Sequence, residues 1–464
     1  MPIVAGVDSS TQSVKVVLRD ADSGELVAST SRPHPDGSEV NPQHWWKALS
    51  EALDELSSHK ISAISIAGQQ HGMIALDKDG TVIRDALLWN DTRSDKAAED
   101  LNREIPDIAL RTGSQLVASF TASKVRWLVD SEKANANRVA AIALPHDWLS
   151  WKLSGAKSIE TLFTDRSDAS GTGYFDSRKN EYCLDILATA IRTNQEIILP
   201  KIIAPNQFGT TSTNSIPIAA GAGDNAGAAL GLGASLGDLV ISLGTSGTAF
   251  AISKSSTHDS SGEVAGFADA TGNFLPLACT LNAAKIFNTV AKSLSLSFEE
   301  FSSLALSAKV GAEGLRIIPH FDGERTPNKP SAKGSFYGIT HSNFTRENIA
   351  RASIEGVIAG IIYAARAVER QGVSYSRILL IGGAAKNSAV QQISADLFGR
   401  TIHIPPIGEY VADGAAKQAA WALSGKDEVP SWSLGEVKEI SPKVRIDGVI
   451  AVSYTHLRAH ETKA

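Results

Sequence analysis

The apolar and polar positions alternate first around a short polar tip. Ile3 to Val7 and Val14 to Leu18 are β-branched runs separated by Asp8-Ser9-Ser10-Thr11-Gln12-Ser13. Two such runs around small polar residues predict a hairpin. The pattern returns past the midpoint, with Leu239 to Leu243, then Gly244-Thr245-Ser246-Gly247, then Thr248 to Ile252. The two halves therefore open alike, and a duplicated unit would face two hydroxyl-rich turns across one cleft.

Between the hairpins, Ile61 to Ile66 and Ala141 to Leu144 read as buried strands, while Pro42 to Leu56 and Phe120 to Asp130 have helical spacing with polar faces. Later, Arg346 to Gln371 predicts a long helix, Ile378 to Ile381 a buried strand, Ser388 to Leu397 a helix and Ile402 to Pro405 a strand. Strands alternating with helices predict a mixed α/β fold. A turn-rich stretch from Pro205 to Ser215 puts the expected division near Pro217, giving domains 1–216 and 217–451. Val452 to Ala464 lacks apolar periodicity and reads as an appended, misread or disordered tail, or as a genuine exposed terminus.

Composition narrows the function classes. At 464 residues, the chain is long enough for more than one core. A net charge of −6 gives no electrostatic reason to expect a nucleic-acid partner. The apolar stretch Ile354 to Val368 carries Glu355 and Arg366 and is too short to span a bilayer. Two cysteines, Cys183 and Cys279, make neither a disulfide framework nor a zinc-like pair, and the start of the chain lacks a signal-peptide pattern. A cytoplasmic enzyme with small-molecule ligands is the expectation.

Gly221-Ala222-Gly223-Asp224-Asn225-Ala226-Gly227 sets one carboxylate among glycines that allow close backbone approach. Asp224 suits a general base for phosphoryl transfer to a hydroxyl, or equally a helix cap. Asp8, at the end of an apolar run, suits a hard cation such as Mg2+ between phosphate oxygens. Thr11, Gln12 and Ser13 in the first turn, and Gly244, Thr245 and Ser246 in the second, offer hydroxyls and N–H groups to phosphates, although either turn alone reads as a plain turn. Gly382-Gly383-Ala384-Ala385-Lys386-Asn387 follows a buried strand and opens a helix, an arrangement that admits a nucleotide or merely a tight turn. Gln70 and His71, between Gly68 and Gly72, have donors and acceptors for sugar hydroxyls, against the alternative of a structural histidine. Trp89, Asn90, Asp91 and Arg93 form a second polar cluster that either braces the pocket or lies in a solvated loop.

These segments occur in a series that resembles the FGGY carbohydrate kinases, the xylulokinases in particular, over nearly the whole chain. The series runs Gly6-Val7-Asp8-Ser9-Ser10-Thr11, Gly68 to Gly72, Trp89-Asn90-Asp91, Thr164 to Thr172, Gly221 to Asn225, Ser242 to Thr248, Gly323-Glu324-Arg325-Thr326-Pro327, Glu355-Gly356 and Gly382-Gly383-Ala384. The resemblance implies two actin-like, ribonuclease-H-like domains closing on ATP and a sugar, the sugar on the 1–216 side and the nucleotide on the other. It implies Asp224 as catalytic base, Gln70, His71, Asp224 and Asn225 at the sugar, and Asp8 at the metal and phosphates. It also implies Gly382, Gly383, Ala384 and Asn387 at the nucleotide, and a homodimer. Glycerol kinases typically place an Arg-Glu pair where Gln70-His71 stands, so D-xylulose leads as substrate. Ribulose, gluconate, glycerol and a non-catalytic ATP-binding module are the alternatives. Ser9-Ser10 departs from the glycine that many members carry in the phosphate turn.

Overall fold

The computed structural model describes residues 1–192 and 196–444. The expected tail from Val452 lies outside them. The first hairpin forms as β1 (Ile3–Ser9) and β2 (Ser13–Asp20), with Ser9 opposite Val14 and the Ser10 N–H closing the turn on the Ser13 carbonyl. The strand β3 (Leu26–Pro33) continues antiparallel. A helix α1 (Pro42–Glu55) starts on the Asn41 cap, whose side chain accepts from the Gln43 N–H, with Pro42 in the first turn. Then β4 (Ile61–Gly68) runs parallel to β1, setting Asp8 beside Ala67. The helix α2 (Pro145–Leu153) covers part of this sheet. The sheet is completed by β5 (Phe208–Thr211), β6 (Pro217–Ala219) and β7 (Ala222–Gly223). Both β6, which begins at Pro217, and β7 lie past the expected division yet belong to the first sheet, because Ile218 pairs with Ile64 and Ala222 with Ala67.

The helix α3 (Asp224–Gly231) follows at once, and a second seven-stranded sheet begins. Its strands are β8 (Asp238–Leu243), β9 (Gly247–Ala251), β10 (Ala265–Ala268) and β11 (Phe274–Thr280). The long α4 (Arg346–Arg370), capped by Thr345, packs on this sheet. After it come β12 (Arg377–Ile381), α5 (Ser388–Phe398), β13 (Ile402–Ile404), α6 (Tyr410–Ser424) and β14 (Lys438–Ile440). The two sheets share one central order. In each, three antiparallel strands (β3-β2-β1 and β11-β9-β8) are continued by two parallel ones (β4-β6 and β12-β13). The halves that open alike in sequence thus build the same sheet twice, and the two-domain ribonuclease-H-like architecture is observed.

Side chains alternate across β1 as strand geometry requires. Ala5 and Val7 face a core that includes Trp45 and Leu49 of α1, and Trp148 of α2. Val4 joins Val17 and Ala63 against Ala412, Ala416 and Ala419 of α6. Gly6 falls on that second face, and a methyl group there would sit 1.9 Å from the Ala412 carbonyl oxygen. The same intimacy joins α6 to α3, since a methyl on Gly414 would meet the Gly227 carbonyl oxygen at 1.9 Å. Among the described residues, no helix is long and apolar enough to cross a membrane.

Backbone, rather than a yielding side chain, blocks these positions. Gly414→Ala should therefore lower stability by about 1–3 kcal/mol, the usual cost of overpacking, seen as a lower urea midpoint. An unchanged midpoint would refute the tightness of this crossing.

Candidate functional site

A cavity of about 600 Å³ opens where the strand ends of the two sheets meet. Asp8, Ser10 and Lys15 line it from the first hairpin, Asp224 and Asn225 from the start of α3, and Gly382, Gly383 and Lys386 from the segment after β12. Glu409, Tyr410 and Val411, at the start of α6, complete a wall. Helix N-termini carry unpaired N–H groups and positive dipole ends, so the starts of α3 and α6 favour an anion.

Asp8 and Asp224 are brought together by register. Ser9, Gly68 and Gly223 form one row across β1, β4 and β7, with Asp8 one residue before the row and Asp224 one after it. Burial pushes the Asp8 carboxyl up to about 7; the Ser10 hydroxyl and Lys15 oppose the rise, and Asp224 and Glu409 add to it. Burial likewise pushes Asp224 up to about 6, against the Asn225 backbone N–H at 2.7 Å and its side-chain amide at 2.8 Å. Asp224 is the first residue of α3 and Gly223 occupies its cap position, so the aspartate does not cap the helix.

Gln70 and His71 lie outside the cavity lining, behind Asp224. The Gln70 amide donates to the Ser167 carbonyl at 2.8 Å, and a methyl on Gly223 would lie 2.7 Å from the Gln70 side chain. His71 Nδ1 meets the Gly171 carbonyl at 2.6 Å. A carbonyl only accepts, so Nδ1 carries the proton and Nε2 the lone pair. Burial, with Lys124 nearby, holds the ring neutral, its pKa lowered to about 3. The ring packs at 4.7 Å from Phe120 and 5.6 Å from Phe267 of β10, so this histidine touches both domains. Trp89 donates to the Thr11 hydroxyl at 2.9 Å, and Asp91 holds Ser38 and Arg93, so this cluster braces the first turn.

The cavity lining reaches the first turn at Ser10, while Thr11, Gln12 and Ser13 lie outside it. Gly244 and Thr245 accept from the backbone of Ala284 and Ala283, tying the second turn to a following helix, and Ser246 closes that turn on the Gly244 N–H. These residues also lie outside the cavity lining, whereas Ser242 of β8 lines it. Gly382 adopts φ +92° against Leu243, where a methyl would sit 2.6 Å from the Leu243 carbonyl oxygen. Ala384 is buried in a short 3-10 turn beside the cavity. The Asn387 side-chain oxygen caps α5 through Ala389 and Val390, leaving the amide nitrogen as the atom it could turn to a ligand.

Sequence reasoning missed Lys15, Glu409 and Lys386. Lys15 lies opposite Asp8 in the hairpin and pairs with Glu409 at 2.5 Å, a partner 394 positions away. The alternation of β2 carried the only local signal, since Lys15 breaks an otherwise apolar run.

Residues 3–231 match the N-terminal domain of the FGGY family of carbohydrate kinases, and residues 239–423 match its C-terminal domain. The xylulose kinase of Streptomyces coelicolor is 41% identical over 444 residues, which are 92% of this chain and 89% of that protein. The xylulose kinase of Escherichia coli is 32% identical over 442 residues, 90% of each chain. The crystal structure of xylulose kinase from Bifidobacterium adolescentis superposes with a TM-score of 0.90 at 41% identity, covering 98% of this chain and 99% of that one. Two matched domains, a duplicated sheet and relatives aligned over almost their whole length lead to one statement: the chain belongs to the FGGY family of carbohydrate kinases.

Proposed function

We propose that the protein transfers the γ-phosphoryl group of ATP to D-xylulose, giving D-xylulose 5-phosphate and ADP, with Asp224 as general base. The observation that carries this reading is the presence of Asp8, Asp224, Lys15 and the Gly382-Gly383 turn in one cavity between the two domains. The relatives named xylulose kinase, at 41% identity, support the choice of sugar.

The geometry supports a division of labour. Asp224 accepts the proton of the attacking hydroxyl as its oxygen bonds to phosphorus and ADP departs. Asn225 holds one carboxylate oxygen, orienting the other towards the substrate. The neutral His71 offers the Nε2 lone pair, and Gln70 its amide, to the sugar hydroxyls. The Gly382-Gly383 backbone admits the nucleotide, and the start of α6 faces its phosphates. Closure of the domains excludes water and so limits ATP hydrolysis.

The carboxylates also fit a divalent cation. Asp8, Asp224 and Glu409 line the cavity with Lys15, and after burial, Asp224 and Glu409 raise the Asp8 pKa while Lys15 lowers it. Buried Asp8, beside half-buried Asp224 and exposed Glu409, offers the hard oxygen ligands that suit Mg2+, and Asp8 would hold the ion. When bound, Mg2+ neutralises charge on the transferring phosphates. Lys15, turned from Glu409, reaches the same phosphates as a mobile point charge.

Asp224→Asn should abolish transfer while ATP binding, read by calorimetry, persists; retained turnover would remove Asp224 from its role. Because the base works ionised and its pKa is raised, kcat should fall as pH drops through about 6, and a profile flat to pH 5 would contradict the assignment. Lys15→Met should raise the KM for ATP about tenfold or more while that for the sugar changes little, since a charge-assisted contact contributes roughly 1.5–3 kcal/mol. An unchanged KM for ATP would show that Lys15 stays with Glu409. In a coupled ADP assay over D-xylulose, L-xylulose, D-ribulose, L-ribulose, glycerol and gluconate, D-xylulose should give the highest kcat/KM. Another winner would overturn the sugar but not the kinase, and sugar-independent turnover would favour an ATP-binding module.

A further inference from the structure

Behind the cavity, outside its lining, lies a buried ionic cluster that the mechanism above does not use. His146, in the first turn of α2, is fully buried, as are Asp147, Asp165 and Asp168. Its Nδ1 meets Asp168 Oδ2 at 2.5 Å and Asp147 Oδ1 at 3.3 Å. Its Nε2 meets the Ala220 carbonyl oxygen at 3.3 Å. A carboxylate and a carbonyl both accept, so only a ring with protons on both nitrogens donates to each. The ring also presses on the next residue, for a methyl on Gly221 would sit 2.3 Å from its Cδ2.

The same stretch of backbone is held by Gln418 of α6. The Gly221 N–H donates to the Gln418 side-chain oxygen at 2.9 Å, and the Gln418 amide returns a bond to the Gly221 carbonyl at 2.8 Å. Ser65 of β4 donates to that Gln418 oxygen at 2.6 Å. Two residues on, the Gly223 N–H donates to the Ser167 hydroxyl at 3.1 Å. Ala220, Gly221 and Gly223 are therefore each fixed by a buried side chain immediately before Asp224.

We infer that His146, held as an imidazolium by Asp168 and Asp147, is a positioning residue for the base: with Gln418 it sets the Ala220–Gly221 backbone and so the placement of the Asp224 carboxylate against the attacking hydroxyl. The inference rests on Asp224 being the base. The titratable groups facing the ring are Asp147, Asp165 and Asp168, with Tyr174 and Tyr182 close to these acids. Burial alone would deprotonate the ring, but the acids, Asp147 and Asp168 foremost, hold it charged, its pKa raised to about 10. Burial in turn pushes the Asp147 and Asp168 carboxyls up, because several acids share one cation.

The charge state can be read in the unaltered protein. Nitrogen NMR of histidine-labelled enzyme at about pH 8, where a free imidazole is neutral, should show one ring with both nitrogens protonated, and that signal should be missing from His146→Gln. No such ring, or a divalent metal whose binding is lost in His146→Gln, overturns the proposal. This readout does not depend on turnover, so it separates a failure here from a failure of Asp224 as base. In kinetics, His146→Gln should lower kcat about a hundredfold, the scale of a misplacement near 1 Å, with the KM for sugar and the affinity for ATP changed by no more than about twofold. His146→Lys, which keeps the charge and can donate to both acceptors, should recover part of the loss. Gln418→Met, which spares the ionic cluster, should also lower kcat at constant KM. Wild-type kcat in either His146→Gln or Gln418→Met refutes positioning, as does a loss in His146→Lys equal to that in His146→Gln.

Discussion

The close approach of α6 to β1 and α3 is the constraint on which the rest of the architecture depends. Gly6 lets the backbone of α6 lie against the first strand, and Gly227 and Gly414 let it lie against the helix that begins at Asp224. At Gly231, too, a methyl would meet the Tyr410 carbonyl oxygen at 2.1 Å. At these distances, a helix has little freedom to slide or rotate, because backbone cannot repack as side chains do. The start of α6 is thereby fixed beside Asp8, and Gln418 is fixed beneath Gly221. A contact made of absent side chains positions the charged ones.

The cavity walls follow from that placement. The first hairpin contributes Asp8 and Lys15, α6 contributes Glu409, and the pair Lys15–Glu409 links them at 2.5 Å. A second pair, Arg19–Asp413 at 2.7 Å, repeats the link farther along the strand. The outer pair is partly solvated, so it contributes little to stability by itself. Its position matters more, since it holds the Lys15 cation at the cavity wall beside Asp8.

Much of this was legible in the sequence, for identifiable reasons. The hairpins, the buried strands at Ile61 and Ile378, and the helix from Arg346 carry strong local patterns, and their observed bounds differ by a few residues at most. Asp224 stood out because glycines surround it. The helix α6 was not anticipated. Its sequence, Tyr410 to Ser424, has six alanines in 15 residues, contains Gly414, and buries Asp413, Lys417 and Gln418, so it lacks the one-sided apolar stripe by which a surface helix is recognised. Nor could spacing pair Lys15 with Glu409, or His146 with Ala220, since those meetings are made by the fold. The turn residues Thr11, Gln12, Ser13, Thr245 and Ser246 show the converse. Their composition suits phosphate, yet several of their hydrogen bonds serve the turns themselves.

The position of α6 in the chain has a consequence for biosynthesis. One face of the amino-terminal sheet, built by Val4, Val17 and Ala63, packs against Ala412, Ala416, Ala419 and Ala420 of α6. A ribosome adding roughly 5–20 residues per second completes Gly231 on the order of tens of seconds before it completes Ser424. Throughout that interval, the nascent amino-terminal half has Asp224 already made but lacks the α6 alanines that pack on one face of its sheet. That face of the first sheet therefore gains its α6 cover only after Ser424 is made. The cover of the first sheet is thus encoded in the part of the message that also encodes the second sheet.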